Sequence, residues 1–223
     1  MNFKMVQRLI LKDWYLQRWM IIASLLCGAA SLAIIAQGSN IAFLLGLILL
    51  ITVLISIGAH LAISTMVQER KDQTLPFVMS LPISYREYTT AKILGHLVIF
   101  LLPWLVLAVG SVALLAISPK SQGLIPYTAI MSTEILVSTC LVAAVALITE
   151  SQAWTIGAIM LGNIAINVVG YLVAHVKSIA DTMFGPKLRW TGAATALLFL
   201  EFAIIVLLVS GTFFIQSRKK DFL

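Results

Sequence analysis

Two glutamates, Glu134 and Glu201, lie within long apolar stretches of this chain. An ionised carboxylate is costly inside hydrocarbon, so such a residue serves a function or faces the interior of a helical bundle. The chemistry open to either is acid/base transfer, but neither has the second catalytic group that such a site requires. Asn163 and Asn167, one helical turn apart, form a polar stripe that lines a path or bonds helices together. His60, His96 and His175 are far apart, and no HExxH or paired-cysteine spacing occurs, so metal chemistry has no support. His60 and His96 are expected to hydrogen-bond to neighbouring helices. Cys27 and Cys140 both fall in apolar stretches and are expected to be buried free thiols. No Gly-x-x-x-x-Gly-Lys-Ser/Thr and no Gly-Lys pair exists, so this chain has no loop of that kind for nucleotide phosphate.

The elements that must carry these residues are membrane spans. Of the 223 residues 61% are hydrophobic and 11% charged, with a mean hydropathy of +1.03. A soluble domain of that composition would expose large apolar patches. A hydrocarbon layer about 30 Å thick needs about 20 apolar residues as helix. Six stretches meet that length: 19–36, 41–67, 93–117, 127–149, 153–174 and 191–215. The expected fold is therefore all-α, a single polytopic domain over residues 1–223. Pro103 is placed to bend the third span.

Lys and Arg set the orientation. With the N-terminus in the cytoplasm, the inside segments hold Lys4, Arg8, Lys12, Arg18, Arg70, Lys71, Arg86, Lys92, Arg218, Lys219 and Lys220. Only Lys120, Lys177, Lys187 and Arg189 fall outside. This bias predicts cytoplasmic N- and C-termini. The net charge of +6 then reports topology, with membrane lipid as the counter-surface. The basic residues form no separate domain, which argues against a nucleic-acid partner. No cleavable leader is expected, because the first apolar stretch has full span length and follows 18 charged or amphipathic residues. Ser24-Leu25-Leu26-Cys27 is discounted as a lipoprotein box, having Leu where a small residue must precede the Cys.

Residues 2–18 read as an interfacial helix. Lys4, Arg8 and Lys12 form one stripe, and Phe3, Met5, Val6, Leu9, Ile10 and Trp14 fill the opposite arc, with Leu11 and Asp13 breaking the pattern. Gln37-Gly38-Ser39-Asn40 makes a tight polar turn between the first two spans. Ser24/Gly28 and Ala29/Ala33 recur four residues apart, an interval that lets a neighbouring helix approach closely, within one subunit or between two. Between the last two spans, 173–190 is too long for a tight turn and too amphipathic for pure loop.

The segment 68–92 is the most informative polar stretch. Gln68-Glu69-Arg70-Lys71-Asp72-Gln73 opens it, and Thr74 to Leu81 is long enough for two helical turns before Pro82 stops them. Ser84-Tyr85-Arg86-Glu87 is a capping box that launches the helix of the third span. Leu75, Val78 and Met79 form a small apolar knob rimmed by charge, which tucks under the bundle or docks in a groove on a separate protein.

Glu69-Arg70-Lys71-Asp72-Gln73-Thr74-Leu75, then Ser80-Leu81-Pro82-Ile83-Ser84, Glu87 and Lys92, resemble the cytoplasmic loop of type-2 ATP-binding-cassette (ABC) transporter permeases. The resemblance extends along the chain, through the basic first helix, six spans, the short Glu150-Ser151-Gln152 loop, the excursion before the last span and the Lys219-Lys220-Asp221-Phe222 ending. Gln73, where Gly is frequent, and Pro76 inside the helix depart from the pattern. The resemblance implies a coupling helix that seats in an ATPase subunit, with Glu69, Arg70, Asp72, Thr74, Leu75, Val78, Met79, Leu81 and Pro82 as its contact residues. It also implies that 173–190 forms short re-entrant helices capping a pathway. The working unit would be two permease chains, identical or not, with two ABC ATPase subunits in a bacterial cytoplasmic (inner) membrane. This chain would be no enzyme and hold no cofactor; ATP and Mg2+ would belong to the partner ATPase. Few fixed charges in the spans fit export of an amphiphilic cargo such as a lipid, peptide or drug-like molecule. The rival readings are a non-transporting scaffold or resistance protein and an intramembrane enzyme using Glu134 or Glu201.

Overall fold

Apolar stretches of this length satisfy their backbone polar groups internally as helix, the only open-chain solution within hydrocarbon. The computed structural model describes residues 3–68, 85–118 and 121–218. The described residues are helical with short connections and contain no strand. In chain order the helices are α1 (Phe3–Ile35), α2 (Asn40–Ala62, continued by a π-helical turn, Ile63–Val67), α3 (Tyr85–Ile117), α4 (Ile125–Thr149, after a 3-10 turn at Gln122–Leu124), α5 (Gln152–His175), the short α6 (Lys177–Met183) and α7 (Gly192–Arg218). All but α6 are long and apolar enough to cross a membrane, which makes six spans.

The helices alternate in direction. One end of the bundle, the terminal end, carries the start of α1, the end of α2, the start of α3, the turn at 150–151 and the end of α7. The distal end carries the turns at 36–39, 121–124 and 184–191. In the first turn Gly38 takes φ +76°, a left-handed conformation that costs glycine nothing. Ser39 caps α2 there, its side chain accepting from the Ala42 N–H at 3.1 Å.

α4 is the central helix: 72% of its most apolar stretch is buried, against 11% for α7. It packs on α2, α3, α5 and α7, while α1 packs along α2 and α3. Leu54, Ile57, Leu61, Ile99, Phe100, Leu107, Ile135 and Leu136 fill the space between α2, α3 and α4. Ser24 and Gly28 are both buried within the chain, so that pair serves contact within the subunit, whereas Ala29 and Ala33 are exposed. A Cβ on Gly28 would stand 2.4 Å from Leu107 Cδ2, so any side chain there would require Leu107 to shift.

Two expectations are corrected. The segment 2–18 is no separate helix: from Phe3 onward it is the first half of α1, with no break at Arg18. Its apolar arc supplies the reason, since Val6 and Leu9 are buried against Tyr88 and Ala91 of α3. Cys27 is exposed and Cys140 is buried. Pro103 is accommodated inside α3, which runs unbroken for 33 residues.

At the distal end the segment 173–190 contains α6, whose Ile179 is buried with Ile130, Val173 and Ala194. The Gly123 N–H donates to Gly185 O at 3.0 Å, tying the 3-10 turn to the turn after α6.

Candidate functional site

The expected ATPase-contact residues Glu69, Arg70, Asp72, Thr74, Leu75, Val78, Met79, Leu81 and Pro82 lie outside the described residues. What is described is the pair of helix ends between which they run. α2 finishes in its π-helical turn, a wider winding that recurs at functional positions. α3 begins at Tyr85, with Glu87 in its first turn and buried.

Beside these ends lies a polar cluster drawn from three helices. Lys92 Nζ of α3 donates to Asp13 Oδ2 of α1 at 2.9 Å, and the two side chains are 2% and 5% exposed. Lys12 Nζ stands 3.5 Å from the other carboxylate oxygen. One turn along α1, Gln17 Nε2 donates to Ser64 Oγ of α2 at 2.9 Å, and Gln17 Oε1 lies 3.2 Å from His60 Nε2. α1 and α3 are each 33 residues long, about 50 Å at 1.5 Å per residue. Asp13 and Lys92 fall roughly 33 and 38 Å from the distal ends of their helices by the same rise. With the distal ends at one boundary of a layer about 30 Å thick, the cluster lies at the other boundary. A buried cation and anion there are held by each other, since either alone would be an uncompensated charge.

Asp13 was legible only as a break in an amphipathic pattern, and Lys92 only as a basic residue opening the third span and shared with the family pattern. An acid on the apolar arc of a basic helix is the signal that a partner cation must face it. His60 bridges α1 and α2 as expected. His96 does not: it is buried, and neither ring nitrogen has a hydrogen-bond partner among the described residues.

The two membrane carboxylates come together. α4 and α7 run in the same direction and pack side by side. Glu134 and Glu201 are each nine residues from the distal starts of these helices, about 14 Å down at 1.5 Å per residue. Both are buried. Glu201 Oε2 has no hydrogen-bond partner among the described residues. Near the terminal end the Gln216 side chain donates to Leu147 O, a polar link between the same helices. Asn163 and Asn167 are not brought to this seam. Asn167 Nδ2 donates to Asn163 O within α5 at 2.8 Å, and Asn167 is exposed on the outside of the bundle.

The fold and these sites define an all-helical, six-span, multi-pass membrane protein whose polar groups join helices at one membrane boundary and near the midplane. The chain belongs to the ABC-2 family of transporter proteins, whose family model matches residues 8–217. No curated protein and no solved structure matches it. The chain is accordingly a permease, the membrane subunit of an ABC transporter and not itself catalytic, in a family whose members normally pair with an ATPase subunit.

Proposed function

We propose that this chain is half of the translocation path of an ATP-driven exporter of amphiphilic molecules, with both termini in the cytoplasm of a bacterial inner membrane. The observation that carries the reading is the family match over residues 8–217, which takes in all six spans and the loop 69–84. That the 223 residues contain no Gly-x-x-x-x-Gly-Lys-Ser/Thr motif supports placing hydrolysis on a second polypeptide. Two ATPase subunits, holding ATP and Mg2+, would grip the apolar knob of Leu75, Val78 and Met79 through a rim of Glu69, Arg70 and Asp72.

Force enters the bundle where that loop meets α3. Lys92 stands eight positions into α3 and is bonded to Asp13, so a pull on the start of α3 also moves α1. Tilting both helices opens a seam to the distal side.

The seam is formed with a second permease chain along α5. Asn167 supports this assignment. Its exposed amide falls about 12 Å from the distal end of α5 at 1.5 Å per residue, within hydrocarbon, where polar side chains face protein or water. Whether the second chain is identical is settled by purifying the assembly.

The test is Met79→Asp. A small interface concentrates its energy in a few central residues, and an unpaired charge buried there is strongly unfavourable. Met79→Asp is expected to release the ATPase, or to uncouple hydrolysis from transport, while the permease still inserts. Arg70→Glu on the rim is expected to give a milder, salt-dependent defect. Unchanged co-purification and coupled turnover in Met79→Asp would remove this loop as the docking element.

A further inference from the structure

A cavity of about 320 Å³ lies among α2, α3 and α4 and reaches the turn after α6. That volume is at the lower end for a small-molecule site, roughly 300–1,000 Å³. Its wall is mostly apolar, with Leu47, Leu50 and Leu54 of α2 on one side and Met131 and Ile135 of α4 on another. Three of the four hydroxyls bordering it are already engaged. Ser111 Oγ donates to Leu107 O at 2.7 Å, Ser132 Oγ to Thr128 O at 2.8 Å, and Tyr127 Oη to Gly170 O at 3.4 Å. A cavity lined this way offers water few partners and stays dry. Left empty, it would forfeit dispersion contacts along its whole lining.

Its length identifies the occupant. On α2 the lining runs from Phe43 to Leu54, and on α4 from Leu124 to Ile135. Each is eleven steps of helix, about 16 Å at 1.5 Å per residue, or about half of a 30 Å hydrocarbon layer. Both runs begin at the distal end, so the cavity is one leaflet deep. Leu44 and Phe184, which line it, are 57% and 81% exposed, so it reaches the lipid-facing surface.

We propose that this cavity binds one acyl chain of a phospholipid from the distal leaflet, its headgroup at the level of Leu124 and Phe184 and its chain end against Leu54 and Ile135. The distal leaflet is the outer one in the proposed orientation. The site itself stands on the cavity and does not depend on which way the protein is inserted. The chain wedges α2 from α4, so the packing of these two helices depends on the lipid present.

The experiment uses the full-length chain in nanodiscs containing phosphatidylcholine with a photoactivatable diazirine on one acyl chain, the adducts being mapped by mass spectrometry. A diazirine at the chain end is expected to label Leu54 and Ile135, and one near the ester to label Phe43 and Leu124. Met131→Trp and, separately, Leu47→Trp should each fill the cavity and lower the chain-end adducts at least fivefold. Adducts on Phe202 and Val206, exposed on α7, should stay unchanged and report an intact bundle. The depth order needs no variant, so it stands as a test even where a tryptophan prevents folding. Adducts confined to outward-facing residues, an absent or inverted depth order, or cavity labelling that both tryptophans leave unchanged would each overturn the proposal. None of these outcomes bears on ATPase pairing, which Met79→Asp tests separately.

Discussion

Asp13 Oδ2 and Lys92 Nζ lie 2.9 Å apart across 79 residues of sequence, with both side chains almost wholly removed from solvent. Removing one member takes from the other its nearest buried counter-charge, a change that costs up to about 3–5 kcal/mol when a buried pair is broken, whereas replacing both with apolar groups is often close to neutral. Lys92→Met and Asp13→Leu are each expected to lower the thermal midpoint of the purified permease, and the double variant to recover most of the loss. A double-mutant cycle on size-exclusion thermostability measures it. Additive losses would mean that the two residues act separately. If the pair also carries force, the recovered double variant should remain defective in ATP-coupled transport.

Glu134 and Glu201 share one seam at one depth. Glu201→Gln keeps hydrogen-bonding capacity and removes the ionisable group, so insertion and assembly should match the unmodified chain. Glu201→Leu leaves any polar group facing that position without its partner, a cost on the order of 1–3 kcal/mol, and should impair transport or assembly more than Glu201→Gln. Reconstituted transport and native-gel assembly read the two effects. Unmodified behaviour of Glu201→Leu in both assays would remove Glu201 from the functional residues.

Orientation is testable with thiols. In a background lacking Cys27 and Cys140, a cysteine at Gln122, in the distal 3-10 turn, should react with an impermeant maleimide added to sealed cells. A cysteine at Tyr85, at the start of α3, should react only after the cells are opened. Equal labelling of both from outside would overturn the N-in arrangement.

Gly28 is predicted to tolerate no side chain larger than Ala. Its missing Cβ leaves the space that Leu107 occupies, and overpacking at such a contact costs about 1–3 kcal/mol. Gly28→Leu should reduce the yield of monodisperse protein, and Leu107→Ala in the same chain should restore part of it. No recovery would show that the loss arises elsewhere than at the α1–α3 contact.

The amino-acid sequence by itself determined the number of spans, their approximate bounds and the concentration of basic charge at one end, because hydrocarbon thickness and helix rise act on each segment alone. It also carried the family signature. Tertiary structure decided everything that depends on which helix lies beside which. Asp13 looked like a flaw in an amphipathic helix until α3 brought Lys92 to it. By sequence alone Glu134 reads as shallower than Glu201; the helix starts at Ile125 and Gly192 put both at one depth, and the packing of α7 on α4 sets that depth on one seam. The Ser24/Gly28 interval announced a close approach without naming the partner, which is Leu107 on α3. Within a membrane every span is apolar on nearly all sides, so the pattern of one helix holds little information about its neighbour. Partner choice is made by small residues and a few polar contacts distributed over distant parts of the chain.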